Sequence, residues 1–127
     1  MSAWSQDDLE RLGAAGEAEV SSMRRDGSLS RTRTVWIVRV DDQLYLRSVN
    51  GPDGAWYRLT RASRQGRIEA RGVVRDVTWV DVHAAGQPDV DPAVDAEYAR
   101  KYQGATSAIA HITSPLARVT TMRVEPR

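Results

Sequence analysis

The residues best equipped for chemistry are arginines set beside glycines, hydroxyls and aromatic rings. Arg24, Arg25, Arg31 and Arg33 surround an Asp26-Gly27 dipeptide, and Arg47-Ser48 runs straight into the loop Asn50-Gly51-Pro52-Asp53-Gly54. A guanidinium fork and a hydroxyl satisfy several phosphate oxygens at once, and neighbouring glycines let the backbone approach an anion. Trp56 and Tyr57 follow the loop immediately. An aromatic pair beside arginine suits the flanks of a planar ring, and suits core packing equally well.

Other chemistries fail on inventory. The chain has no cysteine and only two histidines, His83 and His111. That removes a disulfide framework, a thiolate zinc site and a cysteine nucleophile. A Ser-His-Asp arrangement needs one of those two imidazoles, and no nucleophile-elbow motif is present. His83 has Asp81, Asp89, Asp91 and Asp95 nearby in sequence. Their spacing matches neither a calcium loop nor a helical histidine pair, so the segment reads as a solvated acidic loop in which Asp91 caps a helix. His111, beside Ile112, reads as a surface or hydrogen-bonded histidine, and no Walker or Rossmann glycine pattern exists.

Something must position these groups. With 127 residues, 41% of them apolar and 28% charged, residues 1–127 read as a single domain with its own core. The apolar runs are short and the N-terminus lacks a basic segment followed by an apolar one, which predicts a soluble, cytoplasmic protein with no membrane association. The net charge of +1 hides a dipole. Arg58 to Arg75 carries six arginines against Glu69, and Asp81 to Glu97 carries five acids with no Lys or Arg. Such asymmetry either attracts an anion or is neutralised by its own opposite half. All but one of the 18 basic residues are arginine, Lys101 being the exception.

The elements read clearly at the start. Ser5 and Asp8 form a capping box, and Trp4 with Leu9 a hydrophobic staple, so a helix of about two turns starts at Ser5 and stops near Gly13 to Gly16. It reads as a lid. Asp26-Gly27 links Ala18–Arg25 to Leu29–Val40 as a hairpin. In the second strand Trp36, Val38 and Val40 share one face while Val35, Ile37 and Arg39 share the other, which predicts a place near the middle of a sheet. Asp41-Asp42 turns into the strand Leu44 to Ser48, and Ala55 onward begins a short helix bearing Arg58 and Arg61 on one face. Strands follow at Arg67–Ala70 and Gly72–Val82, with Gly72 suited to a bulge or a barrel corner. A helix starts at Asp91-Pro92 with the stripe Val94, Tyr98 and Tyr102, and a last strand spans Ala117–Val124. Six strands at close spacing predict a mainly β, α+β protein: a six-stranded antiparallel split β-barrel with a short N-terminal helix and one or two further short helices.

Several stretches together resemble a short bacterial family of unknown function. They are Val35-Trp36-Ile37-Val38-Arg39-Val40, Leu44-Tyr45-Leu46-Arg47-Ser48, Asn50 to Tyr57, Gly72 to Val77 and Asp95 to Tyr102. That family is grouped with the FMN-binding split β-barrels, which include pyridoxamine phosphate oxidases and actinobacterial deazaflavin-dependent nitroreductases. The Ser48 to Tyr57 stretch is similar to the latter, whose comparable loop ends in a Trp-Tyr pair beside the cofactor phosphate. The resemblance implies a homodimer with FMN or a deazaflavin at the subunit interface, and hydride transfer at the cofactor ring to a small organic substrate. Arg47 and Ser48 would hold phosphate, Arg31 or Arg33 would assist, and Trp56 with Tyr57 would border the ring or ribityl chain.

Two other readings stand beside it. One is a cofactor-free split barrel that binds a small ligand or a protein. The other is nucleic-acid binding through Arg58 to Arg75, against which the near-neutral charge and the 6% aromatic content count.

Overall fold

The computed structural model describes residues 3–127. Helix α1 (Gln6–Ala14) begins where the capping box predicts, with the Ser5 hydroxyl accepting the Asp8 N–H at 3.1 Å. The strands are β1 (Ala18–Ser22), β2 (Arg33–Val35), β3 (Ile37–Val40), β4 (Gln43–Leu46), β5 (Gln65–Ala70), β6 (Val73–Asp81) and β7 (Met122–Pro126). The remaining helices are α2 (Ala55–Ser63), α3 (Asp91–Lys101), α4 (Thr106–Ile112) and α5 (Pro115–Arg118), with single 3-10 turns at Gly51–Asp53 and Pro88–Val90. None of these helices is long and apolar enough to cross a membrane.

All strand pairs are antiparallel, in the order β2-β1-β5-β6-β7-β4-β3. The two outermost strands, β2 and β3, are separated in sequence only by Trp36, so the chain itself joins the edges and the sheet nearly closes into a barrel. The sheet therefore has seven strands where the sequence predicts six. The expected Leu29–Val40 strand breaks at Trp36, and its halves pair with opposite edges instead of lying mid-sheet.

Three other expectations are corrected. Arg71 and Gly72, with φ of 48° and 80°, form the two-residue turn of a β5–β6 hairpin, the left-handed pair that matches strand twist. The chain after Gly104 makes two more helices before its last strand. Ser114, followed by Pro115, caps α5 through its hydroxyl, so β7 starts at Met122 and not Ala117. Helix α1 is more than a lid, because Leu9 and Leu12 are fully buried in the barrel core.

That core holds Val20, Ile37, Leu44, Leu46, Ile68, Val77, Trp79, Met122 and Val124 inside the barrel, with Trp4, Leu9 and Leu12 at one end and Tyr57 at the wall. A second cluster lies outside β3 and β4, where Val38 and Tyr45 meet Val94 and Tyr98 of α3. Strand β3 is thus buried on both faces, as its alternation predicts.

On β5, paired with β1, Gly66 has no room for a side chain. A Cβ added at Gly66 would stand 2.1 Å from the Ser21 carbonyl oxygen and 2.7 Å from Trp79 Nε1. Gly66→Ala is expected to cost about 3 kcal/mol or more through overpacking. Gly16→Ala, with nothing within 4 Å of the new carbon, is expected to stay within about 0.5 kcal/mol of wild type. Urea unfolding of the two variants checks this, and equal midpoints would contradict it.

Candidate functional site

The β3–β4 ladder runs from Val40↔Gln43 to Ile37↔Leu46 and stops. Continued in register, it would pair Trp36 with Arg47, Val35 with Ser48, Thr34 with Val49 and Arg33 with Asn50. Instead β2 turns to β1, pairing Val35 with Ala18 and Arg33 with Val20. All eight residues of the unmade ladder line one cleft of about 490 Å³, a volume suited to a cofactor-sized molecule. Gly54, Ala55 and Trp56 at the start of α2, Ala108 and Ile112 of α4, and Glu17 complete the wall.

What keeps the ladder open is Tyr98 of α3. Its hydroxyl donates to the Trp36 carbonyl at 2.9 Å, so that carbonyl is held by the phenol and not by the strand beyond β4. Burial raises the Tyr98 pKa, which keeps the hydroxyl protonated and able to donate.

Arg47 is 2% exposed, and its guanidinium is fully engaged inside the protein. Nε donates to Thr121 Oγ1 at 2.8 Å, one terminal nitrogen to the Asp95 carboxylate and the Ile112 carbonyl, and the other to the Asp91 carboxylate at 3.2 Å and the Asp91 carbonyl. Arg118 also pairs with Asp95 at 2.7 Å, and His83 Nε2 lies 2.6 Å from Asp91. A guanidinium has five N–H donors, and here all are used. The phosphate role expected for Arg47 therefore has no donor to serve it in this arrangement. Asp91, read from the sequence as a helix cap in a solvated loop, is buried and holds Arg47 and Thr121 instead.

The other predicted site residues divide. Arg33, exposed at the start of β2, lines the cleft. Ser48 lines it too, with its hydroxyl donating to the Gly51 carbonyl at 2.9 Å and its N–H to Thr120 Oγ1. Trp56 stands in the wall, and its indole N–H has no acceptor among the described residues. Arg31 is exposed ahead of β2, outside the cleft lining. Tyr57 points away into the core, where its hydroxyl donates to Asp81 at 3.0 Å and burial pushes its pKa up to about 12.

Sequence reasoning missed Trp36, Glu17 and the α4 wall. The alternation through Trp36 gives no sign of the break, whereas Ala108 and Ile112 at i and i+4 are a helical signal that was legible. Of the basic segment, Arg61, Arg67 and Arg75 pair with Asp81, Asp76 and Asp8, so part of the charge asymmetry is neutralised within the fold.

Helix α2 starts with Gly54 as its N-cap and no capping side chain. Its first-turn N–H groups therefore open at the cleft wall where Gly54 to Trp56 stand, an arrangement that favours an anion.

Residues 8–124 match the family model described as "Uncharacterized protein conserved in bacteria (DUF2255)". The chain belongs to this family. Among curated proteins none matches it in sequence. Its fold is shared with a protein from Bacteroides thetaiotaomicron described as a "putative 5-nitroimidazole antibiotic resistance protein", at TM-score 0.61 and 12% identity over 99% of this chain and 81% of that one. The conserved hypothetical protein Rv2991 from Mycobacterium tuberculosis gives TM-score 0.59 and 10% identity over 99% and 81%. An F420 reductase gives TM-score 0.56 and 14% identity over 94% and 90%. At these identities the likeness shows the DUF2255 chain to share their split-barrel fold.

Two predictions concern the groups that hold the cleft. Arg47→Met takes the buried guanidinium from Asp91 and from the half-buried Asp95, which keep only His83 with Thr121 and Arg118 respectively, and is expected to lower stability by about 3 kcal/mol. Urea unfolding reads this, and a loss under about 1 kcal/mol would show the network to be dispensable. Lys101, which donates to the Ile37 carbonyl, has its ammonium pushed from 10.5 down to about 8, first by burial and then by Arg100. Between those two values the unfolded chain binds more protons than the folded one, so this group makes stability rise with pH across that window. The stability difference between wild type and Lys101→Met should grow in favour of wild type from pH 8 to 10, and a difference flat in pH would contradict the assignment.

Proposed function

We propose that this protein binds FMN or the deazaflavin F420 in the unzipped ladder and acts as an oxidoreductase on a small organic substrate. The observation that carries this is the coincidence of the cleft with an anion-binding terminus. The eight residues of the unmade β3–β4 ladder line a cleft of about 490 Å³, and its wall includes the uncapped start of α2. Proteins of the same fold include an F420 reductase and an FAD and heme binding protein from Mycobacterium smegmatis, the latter at TM-score 0.55 and 17% identity over 95% of this chain and 65% of that one.

The residues present fit such a group. Arg33 and the first-turn N–H groups of α2 would hold its phosphate by charge-assisted hydrogen bonds. Ser48 shapes the loop that leads to them, its hydroxyl tied back to Gly51. Trp56, whose buried indole N–H lacks an acceptor, leaves a donor at the wall that an acceptor on a bound molecule relieves once the ring turns toward it. Arg47 takes no part in binding and acts by fixing the far side of the wall. The bound cofactor supplies reversible hydride acceptance, for which the protein needs no nucleophile or general base of its own. The chain's own work is to bind, to orient and to exclude water from the apolar wall. Val49 and Leu116, 51% and 67% exposed, stand at the cleft and beside Gly51, and a second copy of the chain covering them would close the cleft in a cytoplasmic homodimer.

An absorbance spectrum of the purified protein, then titration with FMN, riboflavin and F420 while following tryptophan emission, tests this. Wild type should bind FMN or F420 at micromolar concentration. If FMN is the ligand, it should bind more tightly than riboflavin, and Arg33→Ala should weaken FMN by about tenfold or more while leaving riboflavin unchanged. Absence of saturable binding to both cofactors would leave a cofactor-free binding module as the reading.

A further inference from the structure

One aromatic side chain in the cleft is held with unusual rigidity. Trp36 stacks on Tyr102 with ring centroids 3.8 Å apart and planes 3° from parallel. Tyr102 is itself fixed, because its hydroxyl donates to the Gly16 carbonyl at 2.8 Å, with the Ile37 carbonyl 3.3 Å away on its other side as a weaker, shared acceptor. The Trp36 carbonyl is held by Tyr98. Main chain and ring are therefore both anchored, yet the indole is only half-buried and forms part of the cleft wall. A large aromatic surface that is already ordered gives contact area with little further loss of side-chain entropy on binding. The indole–phenol stack is electron-rich, so its complement is a flat, electron-poor ring.

Glu17 adds a second requirement. It directly precedes β1, and extending the β1–β2 register of Ala18↔Val35 sets Glu17 opposite Trp36. Its carboxylate is exposed, lines the same cleft and has no hydrogen-bond or ion-pair partner among the described residues. A carboxylate accepts hydrogen bonds only. A ring seated on Trp36 and turned toward β1 therefore gains if its edge carries an N–H.

We propose that Trp36, backed by Tyr102, is the ring seat of the cleft, and that with Glu17 it selects a flat, electron-poor heteroaromatic ring bearing an N–H donor of the imide type on its edge. This rests on the cleft being the ligand site, but not on the ligand being a flavin. Arg33 and the α2 terminus, the anion-binding groups, have no part in it.

The test uses lumazine, a pteridine dione with an imide N–H and no phosphate, and 3-methyllumazine, which lacks that N–H, alongside FMN, all near pH 6.5. Wild type should bind lumazine, and Trp36→Leu should weaken it by about tenfold, with Trp36→Phe intermediate. Methylation at N3 should weaken binding to wild type and make no difference in Glu17→Ala. If Trp36→Leu does not fold, the Trp36→Phe series and an upfield shift of the Trp36 indole resonance on lumazine titration of wild type provide the same reading. FMN bound with unchanged affinity by the Trp36 variants would overturn the ring seat while leaving the cofactor reading intact. Lumazine bound through Trp36 with neither FMN nor F420 bound would do the reverse. Binding of none of the three ligands to wild type would remove both.

Discussion

The structure depends on an interruption. Two neighbouring strands, β3 and β4, are paired through Ile37 and Leu46; beyond them β2 runs on as strand, while the β4 side passes Arg47 and Ser48 into the turn at Val49 and Asn50. Backbone groups of this kind must find partners, so an open ladder is stable only if something else occupies its ends. Tyr98 does so at Trp36, and at Arg47 the side chain is drawn away from the ladder into a buried set of carboxylates and carbonyls. Once the two strands part there, β2 is free to pair with β1, the sheet can close through the covalent chain, and the gap left behind becomes the cleft. Fold closure and ligand space thus arise from one event.

The energetic character of that event explains its cost. A buried arginine with two carboxylates is expensive to desolvate, and such a cluster contributes less to stability than apolar side chains of the same volume often would. An apolar replacement, however, would supply no reason for the strands to separate. The cluster draws on four separate parts of the chain: Arg47 follows β4, Asp91 and Asp95 belong to α3, Ile112 ends α4, and Thr121 precedes β7. It therefore reports that α3 and β7 are in place around the opening. Without hydrogen bonds to every donor it would be a severe liability, and here each donor is engaged.

Much of this was legible in the sequence, for reasons that are local. Ser5 with Asp8, Asp26-Gly27, Asp91-Pro92 and the Val94-Tyr98-Tyr102 stripe each carry their structural meaning within four residues, and each stands where expected. The six expected strands correspond one for one with the observed seven once the break at Trp36 is allowed for. The break itself was not legible, because apolar alternation runs unchanged from Val35 to Val40, and what divides it is a tyrosine 62 positions away. Arg47 misled for the same reason. Beside Ser48 and a glycine-rich loop it has the local look of a phosphate ligand, and its true partners lie 44 and 48 residues further on. The expected strand at Ala117–Val124 overlaps a helix start, since Ser114 with Pro115 caps α5 and β7 begins only at Met122.

These non-local partners bear on how function is divided across the cleft. On the β4 side the groups are committed: Arg47 to its carboxylates, Ser48 to Gly51 and Thr120. On the β1–β2 side they are not, since Arg33 and Glu17 are exposed and Trp36 is ordered from behind. A ligand gains most from groups that are held in place but still unsatisfied, because neither ordering nor a lost internal bond is then charged against binding. By that criterion one wall of the cleft is scaffold and the other is recognition surface. The strand that abandoned its ladder partner is thereby the one left free to read a ligand.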